Sequence, residues 1–482
     1  MRKSLNRQTV SSPADAYPER IVQFGAGNFL RGFVDWVIQN LNEQTPFASQ
    51  VVVVKVTPNS TYEELDAQDG LFHVVLRGYQ AGELIDEAKL ITCVSRTVYP
   101  YQDFDAYLNL ATQPDIRFIF SNTTEAGITF VESDSATDQP PSSFPAKLTV
   151  FLHHRFQHFQ GAPDKGCIII PTELVVQNGD QLREIILHYA DLWGLSSEFS
   201  AWIKTHNMFC NTLVDRILPG FPAQDAEQIM DRLGFDDRQL VMGEPYHSWI
   251  IEAPASLKDE FPVQQTQLNV KIVDDANPFR ETKVRILNGA HTSMVPPGIL
   301  LGLESVRQSI EHETLGQFIK DLVYHEIIPS MNLPEDELRA FADDVFDRFR
   351  NPHIHHRLLS IIVNTVPKIK ERIVPTIVDY HAKYDALPER VVLAFAAFIR
   401  VYKGEWHGQP IPLNDDQTHI DWFAQQWSNT DSVPELVEII LKRDDLWGSD
   451  LSTIDGLNAL VSDDIRAIEN NQLPDLLSRM VK

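Results

Sequence analysis

A chain of 482 residues, 43% hydrophobic and 22% charged, is globular and long enough for two or three domains. Its formal net charge of -26 argues against a nucleic-acid or anionic-membrane partner, since either needs a basic face. It leaves room for a small anionic substrate held by a few local Lys or Arg side chains. The three cysteines (Cys93, Cys167, Cys210) are widely spaced and odd in number. Neither a disulfide framework nor a cysteine-based zinc cluster follows, and a reducing, cytoplasmic compartment is expected. The opening stretch MRKSLNRQTVSSPADAYPER has no apolar core of the kind a secretory signal requires, and the longest apolar runs, such as 391–399, are too short to span a bilayer.

Residues 20–24 read as a short buried strand, followed by Gly25-Ala-Gly27-Asn-Phe-Leu-Arg-Gly32 and an amphipathic stretch to Leu41. Strand, glycine turn and helix in that order are the context of a dinucleotide fingerprint, although the spacing is Gly-x-Gly-x4-Gly in place of Gly-x-Gly-x2-Gly. In this reading Gly25 makes the turn, Gly27 lets a pyrophosphate approach, and the helix N-terminus supplies N–H donors. Ala26, Asn28, Phe29 and Arg31 complete the cofactor loop, with Asn28 or Arg31 reaching phosphate or nicotinamide edges. The plainer alternative is an ordinary glycine turn with Arg31 on the surface. Residues 50–56 form a second, almost wholly apolar strand, as expected of one covered on both faces. The acidic residue that commonly binds the adenosine ribose is missing from its end, and Lys55 is a poor basis for choosing NADP.

Residues 71–79 read as part of a β-ribbon and 88–96 as another unit. Residues 116–120 form a buried strand ending near Asn122 and Thr123, which are either cofactor contacts or a capping turn. The Pro/Ser-rich stretch 133–147 reads as a surface loop or the approach to a helix containing Phe151 to Phe159, not a domain linker. Residues 167–171 form a central strand whose far edge carries Glu173 and Asn178. Asp215-Arg216 is either a structural ion pair or part of a site wall. Residues 239–246 and 247–251 read as strands extending the sheet, with Glu244 and Trp249 as substrate-side candidates. From about 277 the pattern is helical: 277–292, 299–310, 313–329, 334–349, 353–364, 368–382, 388–401, 418–428, 433–441 and a terminal pair. The expected fold is therefore α/β: a Rossmann-like dinucleotide-binding domain with a sheet extension (1–276), then a mainly α-helical substrate and catalytic domain (277–482).

The chemistry centres on Glu281-Thr-Lys-Val-Arg-Ile-Leu-Asn-Gly-Ala-His291. At about 100° per residue, Lys283, His291 and Asn288 project at about 0°, 80° and 140°, one face of one helix. A lysine whose pKa is lowered by burial or nearby positive charge can take the proton of a secondary alcohol, or return it to an alkoxide. Asn288 and His291 can donate hydrogen bonds to the oxygen that gains negative character. The alternative is a surface lysine, a turn-capping asparagine and a core histidine. His353, His355 and His356, like His153, His154 and His158, lack a matching carboxylate or cysteine set, so no catalytic metal is expected.

The pattern Lys283-x4-Asn288-x2-His291 resembles the catalytic helix of the long-chain mannitol dehydrogenase family. The loop from Gly25 to Gly32, Asp69-Gly-Leu-Phe72, Leu213-Val-Asp-Arg-Ile217, Glu244-Pro245 and Trp249 match the family in the same order, over nearly the whole chain. The resemblance implies metal-independent, NAD-dependent interconversion of an alcohol and a ketose-type carbonyl. Lys283 would be the general acid/base, and Asn178, Asp215 and Lys368 would meet the substrate. Two departures bear on the substrate. Leu174 stands where polyol members carry an asparagine, and the family's Arg-x7-Lys pair appears as Ser360 and Lys368. These look like the branch reducing a sugar acid, D-tagaturonate to D-altronate, rather than fructuronate or a polyol. Its carboxylate calls for a cation: Lys368 is favoured, with Lys370 and Arg372 more simply a solvated helix face. Oligomeric state is left open, a monomer included.

Overall fold

The computed structural model describes residues 2–59 and 62–481. The chain divides into two compact units: Met1–Arg77 with Ile85–Ala276, and Gly78–Leu84 with Asn277–Lys482. In the first unit, β1 (Glu19–Phe24), β2 (Gln50–Val54), β3 (Val94–Val98), β4 (Phe118–Ser121), β5 (Ile168–Pro171) and β6 (Met208–Phe209) form one sheet. Their order is β3-β2-β1-β4-β5-β6, and every pairing is parallel. This is the Rossmann order, and it reverses between β1 and β4. Alternation along the strands explains why both faces are covered. Val22, Phe24, Val52, Val54, Ile119 and Ile169 enter one apolar cluster, while Ile21, Val51, Val53, Phe118, Phe120, Ile168 and Ile170 enter the other. Helix α1 (Trp36–Gln44) follows β1 through a π-helical entry, Leu30–Asp35, and α2 (Asn178–Leu192) follows β5.

The expected sheet extension takes the form of separate sheets. Val241–Gly243 joins Phe72–Gln80 and Glu83–Ile91, while Asn211–Asp215, Ser248–Glu252 and Val270–Val273 form another three-stranded sheet. Residues 88–96 are not one unit: Glu83–Ile91 ends there and β3 begins at Val94. Trp249 is not on a substrate side. Its ring is wholly buried, with Phe33 at 5.2 Å, Phe120 at 5.8 Å and Phe261 at 6.0 Å. Glu244 is also buried, and its Oε1 accepts the Ile217 N–H at 2.7 Å. Alternation in a strand says which residues share a face, and only packing says which face is the core.

In the second unit the helix that begins at Asn277 runs through a π turn, Lys283–Asn288, into α3 (Gly289–Leu300). The helix expected over 277–292 instead runs on to Leu300, with two prolines, Pro296 and Pro297, inside α3. An interior proline costs about 3 kcal/mol by removing an N–H and crowding the preceding turn. Here residues 289–298 and Leu300 are buried but for Ile299, which is half-buried, and α3 belongs to one large apolar cluster with the later helices. Burying a single large apolar side chain contributes about 1.5–3 kcal/mol, so several of them outweigh the local penalty. Further helices include α4 (Glu335–Phe349), α5 (Leu358–Ile361), α6 (Thr365–Arg372), α7 (Glu389–Val401) and α8 (Leu457–Glu469). The helix expected over 353–364 is reduced to the four residues of α5, and Asn364 has φ +50°. Among the described residues, no helix is long and apolar enough to cross a membrane.

Candidate active site

The loop after β1 sits where the strand order reverses, the position at which open α/β sheets bind ligands. Gly25 has φ +110°, a backbone that L side chains rarely adopt, so glycine is required for the turn. Gly27 is different. It is exposed, and a Cβ built on it meets nothing within 4 Å, so the chain itself makes no demand for glycine there. Gly32 has the packing role of a third fingerprint glycine: an added Cβ would lie 2.7 Å from Leu218 Cδ2 and 2.9 Å from Val241 Cγ1. The open space over Gly27 leaves room for a pyrophosphate to approach. The Ala26 N–H is engaged by the Tyr62 hydroxyl at 3.2 Å. Phe29 stacks on Phe33 at 4.8 Å, and Asn28 stands exposed at the helix start.

Arg31 is neither a surface residue nor free for phosphate. It is 9% exposed, with Nε donating to Ala26 O at 3.0 Å, Nη2 to Asn28 Oδ1 at 3.1 Å, and Nη1 to Gln239 O. The guanidinium braces the loop from within. At the end of β4, Asn122 donates to Thr172 O at 2.8 Å, while the Thr123 N–H and hydroxyl both donate to Glu173 Oε1 at 2.9 Å. Both residues are half-buried at the switch-point edge, tied to the end of β5. Burial raises the Glu173 carboxyl, and these hydrogen bonds oppose the rise. Lys55, at the end of β2, donates to Thr57 Oγ1 at 2.5 Å and lies over the Tyr62 ring.

On the other unit, the π turn changes the geometry the α-helical periodicity predicts. A π turn closes with i→i+5 hydrogen bonds, which brings residue i+5 back over residue i. Lys283 and Asn288 are that pair, so they draw closer in azimuth than the predicted 140° or so. His291 then follows three residues on, the next position along the same face of α3. Lys283 and Asn288 are half-buried, while His291 is 9% exposed. The His291 ring packs 4.3 Å from the Phe349 ring and 5.0 Å from that of His356. Its Nε2 and the Ser293 hydroxyl are buried without a hydrogen-bond partner among the described residues.

Burial first, and then the neighbouring His356, Arg348, Arg372 and Lys368, drive the His291 pKa well below its ordinary value. The imidazole is neutral at physiological pH and has one N–H to donate. Arg348 and His356 were not singled out from the sequence for this site, because their distance along the chain hides their proximity. Lys368 donates to Ile361 O at 2.7 Å and to Val363 O, so it ties down the end of α5. Arg372 is half-buried rather than solvated, with Nη1 donating to Thr292 Oγ1 at 3.2 Å, whereas Lys370 is exposed as expected.

Two further candidates lie in the first unit. Asn178 was expected to touch substrate, but it is fully buried. Its Nδ2 donates to Pro171 O, Glu173 O and Thr212 Oγ1 at 3.0–3.2 Å, while Oδ1 accepts from the Gly179 and Thr212 N–H groups. It pins the loop after β5, with no side-chain donor or acceptor left over. Asp215 ends the strand Asn211–Asp215, half-buried and opposite Ser248. Its neighbour Arg216 donates to Glu244 O and Gly32 O at 3.0 Å and stacks on Trp36, and burial pushes it down to about 9. Leu174 is exposed, and so is Ser360, whose hydroxyl donates to Arg357 O at 2.7 Å. Among the described residues, no group of three or more His, Cys, Asp or Glu side chains is placed to hold a metal ion.

Residues 19–265 match the mannitol dehydrogenase Rossmann domain and residues 275–469 the mannitol dehydrogenase C-terminal domain. The chain is 43% identical over 476 residues, 97% of each chain, to a Pectobacterium carotovorum protein named altronate oxidoreductase. It is 45% identical over 471 residues, again 97% of each, to an Escherichia coli protein of the same name. Among solved structures, a D-sorbitol dehydrogenase in substrate-free form shares the fold with a TM-score of 0.80 at 21% identity, covering 100% of both chains. A Pseudomonas fluorescens mannitol 2-dehydrogenase, solved as a ternary complex with NAD and D-mannitol, gives 0.67 at 21% identity over 99% of each. With two family domains matched in order along a Rossmann unit and a helical unit, the chain belongs to the mannitol dehydrogenase family of oxidoreductases acting on CH–OH groups.

Proposed function

We propose that the protein is an NAD-dependent, metal-independent tagaturonate reductase, which reduces D-tagaturonate to D-altronate reversibly. The observation that carries this reading is the π-turned helix, with Lys283, Asn288 and a neutral His291 on one side and cations gathered round the imidazole. Arg348, Lys368 and Arg372 all act on the imidazole, and although Asp344, Asp415 and Glu371 offset them in part, they bring local cations suited to an anionic sugar acid to a chain of net charge -26. The name carried by the 43–45% identical relatives supports the same substrate pair.

The loop from Gly25 to Phe29, with Asn122 and Thr123, would hold NAD, which supplies the hydride to the keto carbon when bound in reduced form. The Lys283 ammonium gives its proton to the carbonyl oxygen, and solvent reprotonates the amine afterwards. Asn288 and the His291 N–H donate to that oxygen as charge builds on it, and a neutral imidazole does so without competing for the proton. In the oxidative direction Lys283, as the free amine, takes the hydroxyl proton.

Spectrophotometric assay of NADH consumption with D-tagaturonate, D-fructuronate and D-fructose tests the reading. Tagaturonate is expected to give the highest kcat/KM. Absence of turnover with it would overturn the assignment, and a higher value with fructuronate would move the protein to that sibling activity. A second expected result concerns the loop. Gly27→Ala should leave the melting temperature unchanged, because the methyl meets no protein atom, yet weaken NADH binding roughly tenfold by standing where the pyrophosphate approaches. Gly32→Ala should instead destabilise the fold by about 1–3 kcal/mol through overpacking against Leu218 and Val241. Thermal melting and fluorescence titration with NADH separate the two.

A further inference from the structure

Resting on the sugar-acid reading above, we infer that Arg372 is the carboxylate receptor that selects an acid over a neutral ketose. Arg372 closes α6, and its Nη1 reaches Thr292 Oγ1, one residue past His291 on the catalytic helix. The two helices come close here: a Cβ added to Gly289 would stand 3.5 Å from Arg372 O. The bond to Thr292 uses one of five guanidinium donors, leaving the rest of a planar fork of the shape that grips a carboxylate in two places. The guanidinium makes no ion pair among the described residues, and the negative charge that acts on it is that of its chain neighbour Glu371.

Lys368 lies one turn earlier on the same face of α6, but it cannot play this part alone. Two of its three donors are committed to Ile361 O and Val363 O, which fixes its ammonium as an anchored charge. Arg372 is therefore the cation with both a fixed position and open donors. The second observation is on the neighbouring helix. His291 is nine-tenths buried with Nε2 unpartnered, and the Ser293 hydroxyl is likewise without a partner. Buried polar atoms left unpaired by the chain are costly unless a ligand meets them, and a polyhydroxy acid carries hydroxyls for this purpose. A carboxylate beside Arg372 also relieves the repulsion between Arg372 and Lys368.

Steady-state kinetics with D-tagaturonate and its neutral counterpart D-tagatose test this, using wild type, Arg372→Gln and Arg372→Lys. In Arg372→Gln the KM for the acid is expected to rise about 10- to 100-fold, the loss of a charged hydrogen-bonding pair, with the KM for tagatose within about twofold. Arg372→Lys should recover part of the loss, because a point charge replaces the fork. An unchanged acid-to-neutral ratio of kcat/KM in Arg372→Gln, with wild type preferring the acid, overturns the role of Arg372 and leaves the proposed function standing. Wild type that prefers D-fructuronate overturns the tagaturonate assignment. The same ratio, measured on fructuronate and fructose, then decides the role of Arg372. Wild type that prefers the neutral sugar of either pair overturns both. Should Arg372→Gln lose its cooperative melting transition, Thr292→Val, which removes the anchor and keeps the charge, carries the test through a severalfold rise in KM for the acid alone.

Discussion

Replacement of Lys283 by alanine is expected to lower kcat by about 10²–10⁴, the range over which a positioned acid/base contributes, with NADH affinity unchanged. Lys283 opens the π turn that Asn288 closes, and in the proposed mechanism it would supply the proton the carbonyl oxygen takes up. The cofactor loop belongs to the other compact unit, which is the physical reason for NADH binding to persist. Stopped-flow reduction and a fluorescence titration measure the two quantities separately. Added methylamine should restore part of the turnover, because a small amine can enter the space the lysine leaves. Unimpaired turnover in Lys283→Ala would remove the lysine from the chemistry and favour a protein that binds a nucleotide without using it.

For His291→Ala, a fall in kcat of about 10²–10³ is expected, the scale for losing one donor to a developing oxyanion. The pH dependence distinguishes a donor from a titrating acid. Burial and the surrounding cations depress the folded-state pKa of His291 well below the ordinary 6.5. The group is therefore neutral throughout the assay range, and the shape of the pH–rate profile above pH 6 should be the same in wild type and variant. Its signature appears in stability instead. Below pH 6.5 the unfolded chain binds a proton at this histidine that the folded chain refuses, so wild-type stability is lost as pH falls through the unfolded value. His291→Ala removes that contribution, and its melting temperature should decline less steeply between pH 7 and pH 5. A wild-type rate profile with a limb near pH 6.5 that vanishes in His291→Ala would show that the imidazole titrates during catalysis.

These two residues mark how far the sequence could be read. The strand, glycine turn and helix around Gly25 were legible because a tight turn needs positive φ and a buried parallel strand needs an unbroken apolar run such as Val51–Val54. Lys283, Asn288 and His291 could be singled out for a similar reason: the donor types needed at a carbonyl are few. The π turn was not legible, since a shift from i→i+4 to i→i+5 bonding leaves no mark on which residues are present. The passage of α3 through Pro296 and Pro297 ran against local preference, because the burial that outweighs the prolines comes from distant helices.

What the sequence by itself determined was the order of the two units, the glycine turn and the presence of Lys283, Asn288 and His291 along one helical stretch. What only the tertiary structure decided was their environment. Asn178 proved to be a buried loop staple, Trp249 a core ring and Arg31 a brace, because hydrogen-bond satisfaction and burial depend on what other segments bring alongside. The lowered pKa of His291, and the committed donors of Lys368 against the single bond of Arg372, depend on charges and carbonyls that meet only after α4, α5 and α6 pack around α3. Electrostatic fields act through space, and a chain read in order lists charges without their distances.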